Sequence, residues 1–265
     1  MEYLCESLGL ALFMISAATF GVILDHPISP VVEVLGESWA RRALFGLAMG
    51  TTAVALITSP WGKRSGAHMN PATTLTFWSL GKVRTEDAIG YMVFQFLGGI
   101  LGLTAASVTF AALVPAPATW HVPTLPGPSG VAVAFVAELC ISALLMVVVL
   151  TVSNLRRLQE YTPWFAGAAV VTFITLEAPL SGMSMNPARS LASAVVSGRY
   201  EAIWIYFTAP PLGMLLGSRL ALALRWVRSV HCAKLDHRGT SRCIFACQIE
   251  DLERLDSAII DGDAA

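Results

Sequence analysis

Charge is scarce in this sequence. Asp, Glu, Lys and Arg make up 13% of its 265 residues, while 55% are hydrophobic. Ordinary soluble domains carry about 25% charged residues, so this composition excludes such a domain and predicts an integral membrane protein. The formal net charge of −1 gives no indication of a nucleic acid partner, because proteins that bind nucleic acid concentrate positive charge.

Cysteine is scarce as well. The five Cys residues are divided between apolar segments and the C-terminal region, and they do not form the dense framework of a small secreted protein. The C-terminal region does hold residue types that bind zinc, namely His231, Cys232, His237, Cys243 and Cys247. A Cys-x-x-x-Cys pair without a second close pair is a weak metal signal. The sequence therefore predicts reduced, inert thiols, with metal binding as the alternative, and we expect no metal and no cofactor.

Basic residues are absent before the first apolar segment, and a cleaved signal peptide would begin with them. That segment is instead predicted to span the membrane. The apolar segments long enough to cross a bilayer are residues 3–24, 43–59, 88–114, 131–152, 164–180 and 202–224. Because residues 225–265 are polar, the chain is predicted to divide into a membrane channel domain (1–224) and a soluble cytoplasmic tail (225–265).

A short motif occurs twice. Residues 65–72 read Ser-Gly-Ala-His-Met-Asn-Pro-Ala, and residues 181–188 read Ser-Gly-Met-Ser-Met-Asn-Pro-Ala. Asn is a good helix N-cap and Pro is favoured at the first helical position, so each copy predicts the first turn of a helix. The two predicted helix starts are Asn70-Pro71-Ala72 and Asn186-Pro187-Ala188.

Both predicted helices are short. Gly81 and Gly198 are placed like C-terminal caps, which leaves roughly ten residues, or about half of a ~30 Å hydrocarbon core. Each half of the chain (about 1–114 and 131–224) then has three spans and one half-helix, and an odd number of crossings inverts the second half. The sequence thus predicts an all-α membrane protein with six transmembrane helices and two half-helices that meet at the midplane, arranged as an inverted repeat.

Basic residues also orient the chain, because short cytoplasmic loops collect Lys and Arg. Most basic residues between the spans fall on one side if both termini are cytoplasmic, and Arg41, Arg42 and Arg199 fall on the other. We therefore predict a multi-pass protein of the cell (inner) membrane with both termini in the cytoplasm.

These features resemble a known family. Two Asn-Pro-Ala motifs in a Ser-Gly-x-x-x context, Asn-Pro-Ala-Arg-Ser in the second copy, and Glu6 and Glu138 in the first and fourth spans are similar to the major intrinsic proteins, the aquaporins and glycerol facilitators, and to bacterial-type aquaporins among them. The resemblance covers residues 1–224. It implies an aquaporin-like fold, a homotetramer in the lipid bilayer with one pore per subunit, and passage of water and small neutral solutes.

The repeated motif also has a direct physical interpretation. Two helix N-termini that meet at the midplane aim two positive dipole ends at one point, which disfavours a cation there. Asn70 and Asn186 can each donate an amide hydrogen to a passing water, which then cannot relay a proton. Non-helical backbone at this depth is tolerated where it lines a wet cavity, so the residues before each Asn are predicted to offer carbonyls to the water. They are Gly66, Ala67, His68, Gly182, Met183 and Ser184.

Arg189 is a charge inside an apolar membrane segment, which is costly and by default functional. The resemblance makes it the arginine of an outer selectivity constriction and implies Phe45, Ile174 and Met183 as the other members. Water-selective relatives often have His at the position of Ile174, so this constriction is more apolar than theirs. Residues 60–64 are expected to lengthen the loop after Phe45, which complicates its assignment.

Other positions favour aquaporins over glycerol facilitators by the same resemblance. Ser190 stands where glycerol facilitators usually carry Asp, Ala194 stands where they carry a basic residue, and Tyr206-Phe207 is an aromatic pair typical of aquaporins.

Several titratable residues lie in or near the spans. Glu6 and Glu138 resemble the family's buried braces, which accept hydrogen bonds from loop backbone N–H groups. Glu177 is predicted to be a solvated charge at the outer mouth, and His68 is predicted to line the inner mouth.

The sequence predicts a passive channel that conducts water, with small neutral solutes as further permeants, and that excludes protons and ions. The alternatives are a glycerol facilitator, a scaffold protein with a silent pore, and a proton-coupled carrier in which Glu6, Glu138 or Glu177 would titrate during transport. No nucleophile, base and orienting group occur together, so an enzyme is not expected.

Overall fold

The computed structural model describes residues 1–36, 38–116, 118–238 and 243–249. Within these residues the regular secondary structure is entirely helical. The α-helices in chain order are α1 (Glu2–Asp25), α2 (Pro30–Leu35), α3 (Ser38–Thr58), α4 (Pro60–Ser65), α5 (Pro71–Ser79), α6 (Thr85–Leu113), α7 (Val131–Ser153), α8 (Thr162–Leu176), α9 (Ala178–Ser181), α10 (Pro187–Ser197) and α11 (Trp204–Ala223).

Four of these helices, α1, α3, α6 and α7, are long and apolar enough to cross a membrane by length and composition. The predicted fifth span is shorter than expected, because α8 ends at Leu176 and the chain restarts as the short helix α9. Pro179 explains the break, since its ring removes a backbone donor and clashes with the preceding turn. The predicted sixth span corresponds to α11, which tolerates Pro210 and Pro211 in its interior.

The half-helices α5 and α10 begin as the motif predicts. The Asn70 side chain accepts a hydrogen bond from Ala72 N, and Pro71 is the first helical residue. The end of α10 at Gly198, with φ +72°, confirms the predicted cap. The cap of α5 is Leu80, one residue earlier than predicted, and Gly81 follows it with φ +71°.

The two halves of the chain pack in the same way. Helix α1 lies along α6 as α7 lies along α11, and α3 packs against α8 where the halves meet. Glycines make the equivalent contacts in both halves. A Cβ on Gly98 would lie 2.1 Å from Ser7 O, and one on Gly213 would lie 2.3 Å from Leu139 O. These positions therefore exclude any larger side chain.

Two short helices stand where loops were expected. Ser29 caps α2 by accepting from Val31 N, and Ser59 caps α4 by accepting from Gly62 N. Each Ser precedes a Pro at the first helical position, which is a recognisable start signal. Helix α4 occupies the stretch expected to lengthen the loop after Phe45, and α9 is its counterpart in the second half.

The described part of the C-terminal region differs from the expected soluble tail. Residues 225–238 form no helix or strand, yet Val227, Val230, Ala233 and Leu235 are buried in the same core as the channel helices. The end of α11 at Ala223 coincides with the predicted division at residue 224. The tail nevertheless packs against the membrane helices.

Candidate pore

Two asparagines link the half-helices. Asn70 Nδ2 donates to Met185 O at 2.7 Å, and Asn186 Nδ2 donates to Met69 O at 2.8 Å. Each Asn thus bonds the loop that precedes the other. The N-termini of α5 and α10 are thereby held side by side inside the helix bundle, and both amides lie in the wall of one cavity.

The loops before the asparagines have an unusual backbone. Ala67, Met69, Met183 and Met185 all have φ between +46° and +57°. This left-handed region costs a non-glycine residue about 1–2 kcal/mol, so the surrounding structure must hold these residues in place. The residues with positive φ occupy matching positions in the two loops, as expected for a repeat.

Glu6 holds the first loop. Its Oε1 accepts from Ser65 Oγ at 2.6 Å and from His68 N at 3.1 Å. Its Oε2 accepts from Met69 N at 2.5 Å and from Gln95 Nε2 at 2.7 Å. The side chain is fully buried, and both oxygens are occupied by donors.

Glu138 holds the second loop in the same manner. Its Oε1 accepts from Ser181 Oγ at 2.9 Å and from Ser184 N at 2.6 Å, and its Oε2 accepts from Met185 N at 2.8 Å. A carboxylate that accepts several N–H and O–H bonds is stabilised in its charged form. Each half-helix loop is therefore held by a buried carboxylate from a long helix.

Two tyrosines also hold the loops through hydrogen bonds that the sequence analysis did not predict. Tyr91 Oη donates to Ser65 O at 2.6 Å, and Tyr206 Oη donates to Ser181 O at 2.5 Å. Gln95 was also missed, although a lone amide in an apolar span is a signal that it has a buried polar partner.

An inner cavity of about 120 Å³ lies beside the asparagines. Of the predicted pore residues its wall includes Ala67, His68, Asn70, Ser184, Asn186 and Arg189. Gly66 departs from the prediction, because its carbonyl accepts a hydrogen bond from Leu235 N at 3.2 Å and so does not face water in this arrangement.

An outer cavity of about 220 Å³ lies on the other side of Arg189. Its wall brings together Phe45, Ile174, Met183 and Arg189, the residues expected to form the constriction, and also includes Gly182. Phe13, Val170 and Arg189 line both cavities. Sequence reasoning missed Phe13 and Val170, which nothing distinguishes from other apolar residues of a span.

The guanidinium of Arg189 lies at the junction of the two cavities. Among the residues that the structure describes, no acceptor lies within hydrogen-bond distance of its buried Nη1 atom. Arg189 thus places a buried positive charge, with one donor atom that has no described protein acceptor, between the two cavities.

Glu177 does not lie where it was expected. Only 7% of the residue is exposed, and neither carboxylate oxygen has a hydrogen-bond partner among the described residues. It lines neither cavity. The prediction of a solvated rim charge is therefore wrong, because the turn between α8 and α9 folds this side chain inward.

His68 lies in the wall of the inner cavity, but its ring is enclosed. It stacks on Phe77 at a centroid distance of 5.2 Å and on Phe245 of the tail at 5.4 Å. Its Nδ1 is 3.1 Å from Thr74 Oγ1, and its Nε2 is 2.9 Å from Ala233 O. Every side of the ring is thus in contact with protein, and two of these neighbours belong to the tail.

The tail brings potential metal ligands together. The side-chain ligand atoms of Cys232, His237 and Cys247 lie within 4.8 Å of one another, and Cys243 Sγ is 3.5 Å from Cys232 Sγ. Hydrogen bonds from Cys232 and Cys243 hold the pKa of Cys247 below its ordinary value. His231 is not in this group, and its backbone N–H donates to Asn154 Oδ1.

The family model described as major intrinsic protein matches residues 1–220. The chain belongs to the major intrinsic protein family. Aquaporin NIP1-2 of Oryza sativa subsp. japonica is 33% identical over 217 residues, which cover 81% of this chain and 68% of that protein. Aquaporin Z of Photorhabdus laumondii is 30% identical over 183 residues, which cover 64% of this chain and 78% of that protein.

The structure of the aquaglyceroporin from Plasmodium falciparum matches with a TM-score of 0.67 and 20% sequence identity, over 83% of this chain and 94% of that chain. This similarity confirms the predicted aquaporin fold. Membership of the major intrinsic protein family also makes the chain a membrane-spanning passive channel and not an enzyme.

Proposed function

We propose that this channel conducts water, lets small uncharged solutes pass beside it, and excludes protons and ions. The observation that carries the proposal is the crossed pair of asparagines. An amide NH₂ group has two hydrogens, and in Asn70 and Asn186 one of them is bonded to the opposite loop. Because both side chains line the inner cavity, the second hydrogens are available to a water oxygen.

Proton exclusion follows from this arrangement. A water that accepts hydrogen bonds from both amides has both lone pairs occupied and cannot accept a proton from the next water in the file. The adjoining N-termini of α5 and α10 carry partial positive charge, which raises the energy of any cation at the same point. These two effects act at the asparagines, and Arg189 adds a full positive charge at the entrance from the outer cavity.

Passage of small solutes is supported by the composition of the constriction. Apart from Arg189, the residues predicted to form it are Phe45, Ile174 and Met183, and none of them offers a strong hydrogen-bonding group. A solute with one polar side can bond the guanidinium and place its apolar side against this wall. A strictly water-selective constriction would instead require two polar partners.

A glycerol facilitator is the nearest alternative. Against it, Ser190, which stands where those proteins usually carry Asp, is enclosed by other hydroxyls. Its Oγ accepts from Thr124 Oγ1 at 2.8 Å and lies 2.6 Å from Ser184 Oγ. An Asp at this position would place a charge in a buried cluster that is built from neutral hydroxyl groups, and burying a charge is costly.

A proton-coupled carrier is less well supported. Such a carrier needs an acid on the solute path that gains and loses a proton during transport. Glu6 and Glu138 have both oxygens engaged in structural hydrogen bonds, and Glu177 lines neither cavity. We further propose a cell (inner) membrane location with both termini in the cytoplasm. We name the entrance on the side of the termini the inner entrance.

Water, glycerol, urea and ammonia fluxes measured by stopped flow on proteoliposomes test the proposal, with protein-free liposomes as the control. We expect water flux well above the control, smaller but measurable solute fluxes, and no proton current. A proton current comparable to the water flux would contradict the proposal, and accumulation of solute against its gradient would favour the carrier.

A further inference from the structure

Two segments of the tail lie against the inner entrance. In the first segment, Leu235 N donates to Gly66 O at 3.2 Å, and Ala233 O lies 2.9 Å from His68 Nε2. Leu235 lines the inner cavity together with Asn70. It also lines a polar cavity of about 230 Å³ that includes Glu160 and Asp236 of the same side. Leu235 therefore lies between the pore cavity and a polar cleft outside it.

The second segment contributes an aromatic ring. Phe245 stacks on His68 with an angle of 7° between the rings, and a Cβ on Gly66 would lie 2.7 Å from the Phe245 ring. The segment is fixed to the end of α5, because Ala246 N donates to Lys82 O at 3.0 Å and Lys82 Nζ donates to Ala246 O at 3.3 Å.

The residues on either side of Leu235 and Phe245 converge. We name them the tail cluster, which consists of Cys232, His237, Cys243 and Cys247. Cys232 and His237 flank Leu235 in the first segment, and Cys243 and Cys247 flank Phe245 in the second. The cluster therefore joins the two segments. The ligand atoms of three members lie within 4.8 Å of one another, and the fourth has its sulfur 3.5 Å from Cys232 Sγ.

We propose that the tail cluster binds one Zn²⁺ ion and thereby holds Leu235 and Phe245 across the inner entrance, so that metal binding restricts the pore. In a tetrahedral site with Zn–S bonds of about 2.3 Å, two sulfurs lie about 3.8 Å apart. The observed distances between ligand atoms are close to this value, and rotation of the side chains would bring these atoms to the distances of a tetrahedral site.

The ligand set selects the class of metal. Three thiols and one imidazole form a closed Cys₃His site, the type that holds structural zinc, whereas Mg²⁺ and Ca²⁺ require oxygen ligands. A disulfide between Cys232 and Cys243 would use only two of the three sulfurs, and disulfides are rare in the cytosol. Lys82 Nζ holds the segment around Cys247 in place through its bonds to Ala246 O and Gln248 Oε1.

Metal binding also supplies free energy that the tail needs. Residues 225–238 have no helix or strand, and ordering such a chain costs conformational entropy at every residue. Buried apolar side chains offset part of this cost, and a structural zinc site contributes its binding free energy directly to folding. Without the metal, we expect the tail to leave the inner entrance for part of the time.

Metal content tests the site itself. The full-length chain, purified in mild detergent under reducing conditions and exposed to Zn²⁺, should retain about one Zn²⁺ per chain. Co²⁺ in its place should give the absorption of a tetrahedral thiolate complex. C232S and C247S should lose both signals, and C140S, which changes an exposed Cys of α7 outside the tail cluster, should keep them. Equal metal retention by all four proteins, or a disulfide between Cys232 and Cys243 in the reduced preparation, would overturn the site.

Permeability tests the restriction, which rests on the proposed channel function. Metal-free and Zn²⁺-loaded proteins are reconstituted in parallel, and water flux is measured by stopped flow. Wild type and C140S should conduct several-fold more water without metal, while C232S and C247S should conduct at the higher level in both states. L235A should weaken the effect of Zn²⁺ without loss of metal. Equal flux in both states of wild type would overturn the restriction. Absence of water flux in every protein would contradict the proposed function, while the metal content would still decide the site.

Discussion

At the scale of single residues, Arg189 is a charged residue that lines both cavities, and we propose that it controls the passage of ions. Arg189 lies where the two cavities join, and its Nη1 has no acceptor among the described residues. Two unit charges about 4 Å apart interact by ~4 kcal/mol at an effective dielectric constant of about 20. This is enough to make one arginine a substantial part of the barrier to cations.

We therefore predict that Arg189→Val admits cations or protons, with an ion leak roughly tenfold or more above wild type. The leak is measured with a pH-sensitive dye inside proteoliposomes. Arg199→Val is the matched control, because Arg199 is an exposed residue beyond α10 that bonds Glu201. If the Arg189 variant is folded and its leak stays at background, Arg189 is not the barrier.

We propose that Ile174, which lines the outer cavity with Arg189, determines which solutes can pass beside water. Replacing it with His would narrow the outer cavity and add a second polar partner opposite Arg189. We predict that Ile174→His reduces glycerol, urea and ammonia fluxes by roughly tenfold, a typical effect of one added feature in a pocket, and reduces water flux less. Ile174→Val serves as the control for a change of volume alone. Equal solute exclusion by wild type and the His variant would mean that Met183 or Phe45 already closes the gap.

At the scale of elements, the two half-helix loops are held by buried acids, and a third acid nearby has no such function. Glu138→Gln keeps the shape of the side chain but replaces one carboxylate oxygen with an NH₂ group, which leaves one of two backbone N–H groups without an acceptor, at a cost of about 1–3 kcal/mol. We predict a lower unfolding temperature in detergent and lower water flux for this variant.

Glu177→Gln is the matched comparison and should behave in the opposite way. Glu177 is buried and accepts no hydrogen bond from the described residues, so neutralising it removes a desolvation cost. Its unfolding temperature should stay equal to that of wild type or rise. A loss of stability equal to that of Glu138→Gln would show that Glu177 also braces the loop.

Elements with local signals could be predicted from the sequence, and elements built by distant contacts could not. The starts of α5 and α10 follow from Asn and Pro in adjacent positions. The predicted span of residues 164–180 missed the end of α8 at Leu176, although Pro179 is a local signal against a continuous helix there. The contact of Leu235 with Gly66 and the stacking of Phe245 on His68 join residues that are far apart in the chain, and no periodic pattern connects them. The proximity of the members of the tail cluster could not be predicted for the same reason, because they come from two segments of irregular spacing.

At the scale of the whole molecule, the inverted repeat is followed closely around the asparagines, but the partners of the two loops differ. His68 and Ser184 occupy equivalent places in the two loops, and each donates its backbone N–H to a buried Glu. The side chain of Ser184 bonds within its own half, to Ser190. The side chain of His68 instead meets the tail. This contact of His68 with the tail is the asymmetry on which the proposed restriction rests.

The last prediction concerns assembly. Residues of this chain line both cavities, so we expect each subunit to hold its own pore and assembly to cover outer helix faces. Helix α6 offers such a face, because Leu101 and Val108 are 64% and 69% exposed in the isolated chain. Lipid can cover this face equally well, because there is little hydrophobic force between helices in a membrane. Association of subunits must then depend on close packing of complementary surfaces.

We predict a homotetramer with one pore in each subunit. Native mass spectrometry in mild detergent should give the mass of four chains, and chemical crosslinking in native membranes should give the same limit. Water flux per chain should be equal for tetramers and for monomers separated in harsher detergent and then reconstituted at high dilution. A monodisperse monomer in both mild detergent and native membranes would contradict the prediction, and loss of flux in folded monomers would mean that a neighbouring subunit supports the pore.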